Sequence, residues 1–435
     1  MKKLLLSAVM AAAIAVPAGA EGYQVNTLSA KQNGMGHTGT ALKLGSESMI
    51  FNPAGMAFME DKIDFSSSFT AILPSASATV NGTKYDSDNP ASTPLGFNLG
   101  FSIYDNLKAG ISFYTPYGSN INWGENWAGA LLNQRVKLAV YTMQPTIAWR
   151  ITPKLSVGAG LTVAWGSVDL DKALVNGTTL DMMVGAPMFG DISVASVNLK
   201  GTSRVAVGAN IGVMYDINNQ WTVGASYRSK MAMKVKSGTA SVTYANEAAQ
   251  GLLNQTLGLI HEANFSAEMP CVSIISLGAS YKPIEKLTLA ADAQLSLWSE
   301  YKKLDIEFTP EQLSVFDQHI VKDYRNAWMF HAGAEYNLTE RFDIRAGLIL
   351  DTTPIRKDNY NPETPGMTKL EPSVGFSFRP VKDFSIDASL MYVAGLGRDN
   401  ASIEYVNMLT KQPETFTADY KVSAFCPSIG VSFTF

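Results

Sequence analysis

Along most of the chain, hydrophobic and polar positions alternate with a period of two. Leu155, Val157, Ala159, Leu161, Val163 and Trp165 fall on one face, and Ser156, Gly158, Gly160, Thr162 and Ala164 on the other. Val205, Val207, Ala209, Ile211, Val213 and Tyr215 oppose Arg204, Ala206, Gly208, Asn210 and Gly212 in the same way. Further along, Phe342, Ile344, Ala346, Leu348 and Leu350 oppose Asp343, Arg345, Gly347 and Asp351. Successive side chains of a strand point to opposite faces, so this is strand periodicity and not helix periodicity. The runs are about 9 to 15 residues long, beyond the usual globular strand and enough to cross a bilayer when tilted. Trp149, Trp165, Trp221, Tyr227, Tyr336 and Tyr392 sit near run ends, where amphipathic rings form the interfacial girdles of a membrane barrel. The second face is polar, Gly-rich and in places charged, which suits a lumen.

Fourteen such runs are predicted, at 62–72, 94–103, 107–115, 136–150, 155–169, 192–214, 221–236, 268–281, 287–304, 325–336, 341–352, 370–379, 384–396 and 421–435. Short joins carry turn chemistry, among them Tyr104-Asp105-Asn106, Thr152-Pro153-Lys154, Lys282-Pro283 and Arg379-Pro380. Longer segments at 73–93, 116–135, 170–191, 237–267, 305–324, 353–369 and 397–420 alternate with them and are expected as extracellular loops. Two of these contain helical patterns. Glu247–Ile260 sets Ala249, Leu253, Leu257 and Ile260 on one face, and Trp127–Leu132 is a shorter candidate. The expected fold is all-β: a transmembrane antiparallel up-and-down barrel of about 14 strands, an even number as bacterial barrels require. The soluble alternatives are a large sandwich or a propeller, and no propeller repeat of about 40 to 50 residues is present.

The ends of the chain fit the same picture. Lys2 and Lys3, the apolar run Leu4–Val16 and the small-residue site Ala18-Gly19-Ala20 read as a signal peptide over 1–20. Residues 21–61 lack a long strand and are rich in Gly and small residues, which favour close backbone packing. They are expected to fold into the lumen as a hatch, ahead of a barrel spanning 62–435. At the other end Phe425, Ile429, Val431, Phe433 and Phe435 alternate with Cys426, Ser428, Gly430, Ser432 and Thr434. A last amphipathic strand ending in Phe resembles the signal read by outer-membrane assembly machinery.

Composition removes most other functions. Charged residues make up 17% of 435 residues, the net charge is −4, and no basic footprint for nucleic acid appears. A mean hydropathy of +0.03 is far too low for a bundle of transmembrane helices. Cys271 and Cys426 are too few for a disulfide scaffold and are expected as two buried thiols. The four histidines, His37, His261, His319 and His331, show no metal-ligand spacing, and no Walker, dinucleotide or GxSxG motif occurs. No metal or cofactor is expected.

Several segments together resemble the FadL-type family of outer-membrane transporters for long-chain fatty acids and other hydrophobic compounds. They are Gly22-Tyr23-Gln24-Val25, Gly34-Met35-Gly36, Phe51-Asn52-Pro53-Ala54-Gly55, Thr115-Pro116-Tyr117-Gly118, Tyr324-Arg325-Asn326-Ala327-Trp328 and Arg345-Ala346-Gly347 running on to Asp351-Thr352-Thr353-Pro354. The resemblance spans nearly the whole chain after residue 20. It implies a bacterial outer-membrane, multi-pass barrel closed by an N-terminal hatch, with ligand captured at extracellular loops. It further implies a lumenal apolar pocket touching the N-terminus, diffusive lateral release through a distorted wall strand, and a monomer. Gly34, Gly36, Asn52, Pro53 and Ala54 are the hatch or gating candidates, and Tyr23 is a candidate ligand contact.

The residues themselves add two groups. Leu252, Leu253, Leu257, Leu259 and Ile260 offer an apolar helix face, either for first contact with a hydrophobic ligand or for packing on a neighbouring loop. Arg325, Glu335, Arg345 and Asp292, with Arg204, Arg228, Asp343 and Asp387, are expected on the lumenal face, pairing to stiffen the barrel and anchor the hatch, since an unpaired buried charge is costly. Two other functions remain open: a general polar porin, and an outer-membrane lipid-acting enzyme with a dispersed catalytic site.

Overall fold

The computed structural model describes residues 22–257, 262–407 and 410–435; the segment expected as a signal peptide lies outside them. The described strands are β1 Ile63–Thr70, β2 Leu73–Val80, β3 Thr83–Asp86, β4 Leu95–Tyr104, β5 Leu107–Asn122, β6 Arg135–Arg150, β7 Leu155–Asn176, β8 Ser193–Thr202, β9 Ala206–Asp216, β10 Trp221–Arg228 and β11 Met231–Tyr244. The series continues with β12 Glu262–Cys271, β13 Ile274–Ile284, β14 Leu287–Ser296, β15 Lys303–Thr309, β16 Gln318–Val321, β17 Ala327–Asn337, β18 Phe342–Asp351, β19 Lys369–Val381, β20 Phe384–Gly395, β21 Arg398–Val406 and β22 Pro413–Thr434.

Fourteen of them close a ring: β1, β4, β5, β6, β7, β9, β10, β13, β14, β17, β18, β19, β20 and β22, with β22 returning to β1. Every pair is antiparallel, and each wall strand pairs with the next one along the chain, so the barrel is up-and-down and has no open edge. The alternation sets which face meets lipid. Ile147, Leu161, Ile211, Leu277, Ile344, Val374 and Ile429 are exposed on the outside, and Trp149, Trp221, Tyr227, Tyr336 and Tyr392 are exposed with them. Their neighbours Ser156, Thr162, Asn210 and Ser428 are buried inside.

The other eight strands carry the wall outward beyond the membrane. β8 pairs with β7 and β11, β12 with β11 and β15, β15 with β16, β2 with β22 and β3, and β21 with β22. Much of what the sequence predicts as loop at 116–135, 237–267, 305–324 and 397–420 is therefore strand. Glu247–Leu257 is helical as expected. Trp127–Leu132 is not: Ala130 N–H bonds to Trp127 C=O, and Leu132 and Asn133 both return to Gly129 C=O, a run of turns. A helix instead forms at Gly177–Val184, where Asn176 caps it by accepting from Thr179 N–H, and Gly185, at φ 72°, ends it. Two expected turns also shift. Lys282-Pro283 and Arg379-Pro380 lie inside β13 and β19, at irregularities in register that spare the ladder the missing proline N–H.

Residues 22–61 fill the lower lumen. Wall glycines all around the ring receive this segment: Gly158 takes Pro53 and Ala54, Gly212 takes Asn52, and Gly224 and Gly278 take Thr40. Gly333 takes Met35, Gly347 takes Gly36, and Gly375 takes Gly34. At Gly347 a Cβ would run into the Gly36 backbone, and Gly36 itself has φ +62°, so neither position tolerates a side chain.

Candidate functional site

The N-terminal segment is fastened to the wall by polar side chains of the strands around it. Asp292 on β14 accepts the amides of Gly39 at 2.7 Å and Thr40 at 2.9 Å through one oxygen. Arg228 on β10 donates to Ile50 C=O at 2.6 Å, and Gln144 on β6 to Met49 C=O at 2.6 Å. The His331 ring nitrogen Nδ1 stands 2.9 Å from Gly36 C=O. Asn52 works within and outward at once: Nδ2 donates to Thr40 C=O at 2.7 Å and to Val213 C=O at 3.0 Å, while Oδ1 accepts Ala54 N–H. A small polar chamber of about 40 Å³ remains between this segment and the wall, lined among others by Asn26, His37, Arg228, Asp292, Gln294 and His331.

Above the chamber, β5 breaks from the regular wall. It pairs with β4 only as far as Tyr114, and its register against β6 shifts between Tyr114 and Tyr117. Pro116 has no N–H to give, and the freed edge turns inward to the N-terminal segment. Val25 N–H bonds to Pro116 C=O at 2.9 Å, Gly118 N–H to Tyr23 C=O at 2.7 Å, and Gln24 bridges to Tyr117. Tyr23 is buried among Tyr117, Trp298 and Tyr301, with ring centroids at 5.9, 5.0 and 6.3 Å, and its hydroxyl donates to Pro270 C=O.

On the extracellular side of this aromatic cluster the lumen changes character. Along β6 the inward residues are Ala148, Thr146, Gln144 and Thr142, then Val140, Leu138 and Val136; along β7 they are Gly160, Thr162 and Ala164, then Val168, Leu170 and Leu174. The apolar half lines two adjoining cavities, which share Leu170, Leu199, Ile306 and Glu363 in their walls. A wider vestibule of about 790 Å³ lies outside them and shares Lys172, Leu174, Phe316, Gln318, Ile320 and Glu363 with the outer cavity. Polar groups gather at this junction. Lys172 Nζ donates to Gln318 Oε1 at 3.2 Å, and Lys322 Nζ pairs with Glu363 Oε2 at 3.0 Å, with side-chain exposures of 3% and 12% for the pair. Burial alone would pull the Lys322 ammonium down; the Glu363 carboxylate outweighs it and holds the group well above its ordinary value.

Of the residues singled out in the sequence, Tyr23, Gly34, Gly36, Asn52, Pro53, Ala54 and Asp292 meet at the contact between the N-terminal segment and the wall. Glu335 and Arg345 form a separate network below it: Arg345 Nε bonds to Glu335 at 2.6 Å and lies 3.7 Å from both Asp343 and Asp387, and Asp343 also takes Arg379. Arg325 is not lumenal. It precedes β17, its side chain is exposed, and its Nε donates to Thr353 C=O, because the strand begins two residues later than the pattern suggests. Arg204 is exposed as well, at the break between β8 and β9. The face of the 247–257 helix is used in packing: Ala249 and Leu253 are fully buried in the extracellular core, and Leu252 packs against it. Leu259 and Ile260 lie outside the described residues, as does the side chain of Leu257. Cys271 and Cys426 are both buried and unpaired. Lys172, Lys322, Glu363, Trp298 and Tyr301 carry no motif and emerge only from the fold.

A fourteen-stranded barrel with lipid-facing aromatic belts, a filled lower lumen and an apolar chamber above it defines a transport protein of the bacterial outer membrane. The chain belongs to the family described as outer membrane protein transport protein (OMPP1/FadL/TodX), whose profile matches residues 11–435. The long-chain fatty acid transport protein of Escherichia coli (strain K12) is 21% identical over 412 residues, 89% of this chain and 91% of that protein. Outer membrane protein P1 of Haemophilus influenzae is 22% identical over 430 residues, 91% and 90% of the two chains. Among solved structures, a Pseudomonas aeruginosa FadL homologue aligns with TM-score 0.79 at 19% identity, covering 95% of this chain and all of that one. The P. putida toluene transporter TodX aligns with TM-score 0.70 at 16% identity over 96% and 99%. The family transports hydrophobic compounds across the outer membrane, and the chain is a transporter and not an enzyme.

Proposed function

We propose that this protein takes up hydrophobic molecules bearing one carboxylate, long-chain fatty acids being the type. The observation that carries the reading is the pair of apolar cavities with a lysine, Lys172, at their outer lip. An alkyl chain leaving water gains about 0.8 kcal/mol per buried CH₂, and the cavity walls supply that burial. Lys172, half-buried beside the outer cavity with Gln318 as its partner, supplies a cation where the head group would rest. The relatives named as fatty acid transporters support the same class; a neutral aromatic hydrocarbon, as for the toluene transporter, would have no use for that lysine.

In this reading the vestibule captures ligand, the apolar cavities store it, and residues 21–61 act as a hatch that stays in place. The close seating of this segment on wall glycines around the ring supports a fixed hatch and opposes a general polar porin. Ligand then leaves sideways, where β5 abandons β4 for Tyr23–Val25. Transport is diffusive and the monomer suffices, since one chain closes the ring; the last strand would be handed over by the barrel assembly machinery. A disulfide between Ala30→Cys and Gly430→Cys, whose side-chain positions lie 3.1 Å apart, tests the route. Uptake of labelled oleate by cells lacking their own transporter is expected with this protein and to survive cross-linking. Uptake abolished by the cross-link would show that the hatch must leave, and no uptake in the uncross-linked protein would reject the ligand class.

A further inference from the structure

Lys172 and Lys322 place two ammonium groups near the junction of vestibule and cavity, and a single carboxylate stands with them. Among the described residues Glu363 is the only acid within ion-pair distance of Lys322, and none is that close to Lys172. Glu363 faces both apolar cavities and the vestibule, whereas Lys322 reaches none of the three and lies behind it, 5.9 Å above the Tyr301 ring. The backbone carrying Glu363 is tied down on both sides. Pro362 C=O accepts Trp123 Nε1 at 3.1 Å, Glu363 N–H bonds to Asn361 Oδ1 at 3.0 Å, and Ser119 donates to Glu363 C=O at 3.4 Å.

We propose that Glu363 is the resident carboxylate of this cation site and sets the preference between charged and neutral ligands: an incoming carboxylate reaches the lysines by displacing Glu363 from Lys322. The inference rests on the carboxylate-ligand reading above. Two ammonium groups and one carboxylate leave one positive charge, which matches a monoanionic head group. Glu363 thus keeps the site from holding that head group too tightly, as a transporter that must release its ligand requires, and it holds Lys322 paired when no ligand is bound. A neutral hydrocarbon would bury the same apolar surface without meeting this competition.

The test is equilibrium binding of labelled oleate and of its neutral methyl ester to the purified full-length protein in detergent. Folding is followed by the heat-dependent mobility of the barrel in gels. With Glu363→Gln, oleate is expected to bind at least about fivefold more tightly, with the ester unchanged within about twofold. Equal or weaker oleate binding by the folded variant overturns the proposal, and so does an equal gain for both ligands. Glu363→Asp keeps the charge but shortens its reach by one methylene; it is expected to gain about threefold for oleate alone. No gain there overturns the proposal even if the Gln variant does not fold. Wild-type protein that binds the ester but not oleate would instead reject the carboxylate-ligand reading.

Discussion

Asp292→Ala removes the carboxylate oxygen that accepts two amides of the N-terminal segment, from Gly39 at 2.7 Å and Thr40 at 2.9 Å. A hydrogen bond to a charged group is worth about 1.5 to 3 kcal/mol, so the pair holds this stretch by about 3 to 6 kcal/mol. The other fastenings, Arg228 to Ile50, Gln144 to Met49 and Asn52 to Val213, remain. The loss is therefore local: residues 36–40 loosen while the ring stays closed. At about 1.4 kcal/mol per tenfold, the population of the loosened state rises by about 10² to 10⁴. Single-channel recording in planar bilayers reads this directly. Wild-type protein is expected to be silent apart from rare brief openings, and the variant to open at least a hundredfold more often. Gly278→Ala should give the same behaviour by another route, because its new Cβ would collide with the Asp292 carboxylate. A folded Asp292→Ala protein that opens no more often than wild type would show that the Gly39–Thr40 stretch does not close the lumen.

Three further outcomes are expected. Lys172→Met should weaken oleate binding about tenfold and leave its methyl ester unaffected, as equilibrium binding would show. Gly347→Ala should reduce the yield of folded, heat-modifiable barrel, since its Cβ meets the Gly36 backbone and Gly36 has no room to retreat; a normal yield would contradict the close seating. In the extracellular turn after the 177–184 helix, Asp181 accepts the amides of Met188, Phe189 and Gly190. Desolvation works to raise its pKa, but these three N–H groups together outweigh it and depress it below the ordinary carboxylate value. The order they impart is thus present above that ordinary value and lost as pH falls through the depressed one, so hydrogen exchange at residues 188–190 should quicken only in strong acid.

The strand count and the membrane-facing surface were legible because a single period of two repeats at every wall strand, and because lipid outside and packing inside impose opposite demands on alternate residues. The outer elements were less legible. Above the membrane both faces of β6, β7 and β8 are covered by protein, so Val136, Val140, Val168, Leu170 and Val197 sit in runs that alternate weakly. That weakening was itself a signal: inward residues turn from Thr142 and Gln144 to Val140 and Leu138 along β6, marking where the filled lower lumen gives way to an apolar cavity. A lumenal course for residues 21–61 could be suspected from small-residue content, and Gly34, Gly36 and Asn52 from the family resemblance, but their partners Gly347, Gly375 and Gly212 could not, since a strand glycine has many uses. Lys172 on β7, Lys322 just after β16 and Glu363 in the segment between β18 and β19 lie apart in the chain and are joined only by the folded extracellular half. Arg325 misled because β17 begins two residues later than the pattern suggests, which leaves that charge at the surface ahead of the strand.

The seam of the ring, where β1 meets β22, has a bearing on how the protein is made. Asn33 Nδ2 donates to Thr70 on β1 at 3.2 Å and to Ser428 on β22 at 2.9 Å, and Ser68 on β1 donates to Leu28 C=O. One side chain of the inner segment therefore stitches together the first and last strands of the wall. A segment locked on all sides by backbone-to-glycine contacts has no way to thread into a finished cylinder. It has to be lying in place while the wall is wrapped around it, like the mandrel on which a tube is wound. The chain order suits this, because the mandrel precedes the first strand and the stitch is completed only when the last one arrives.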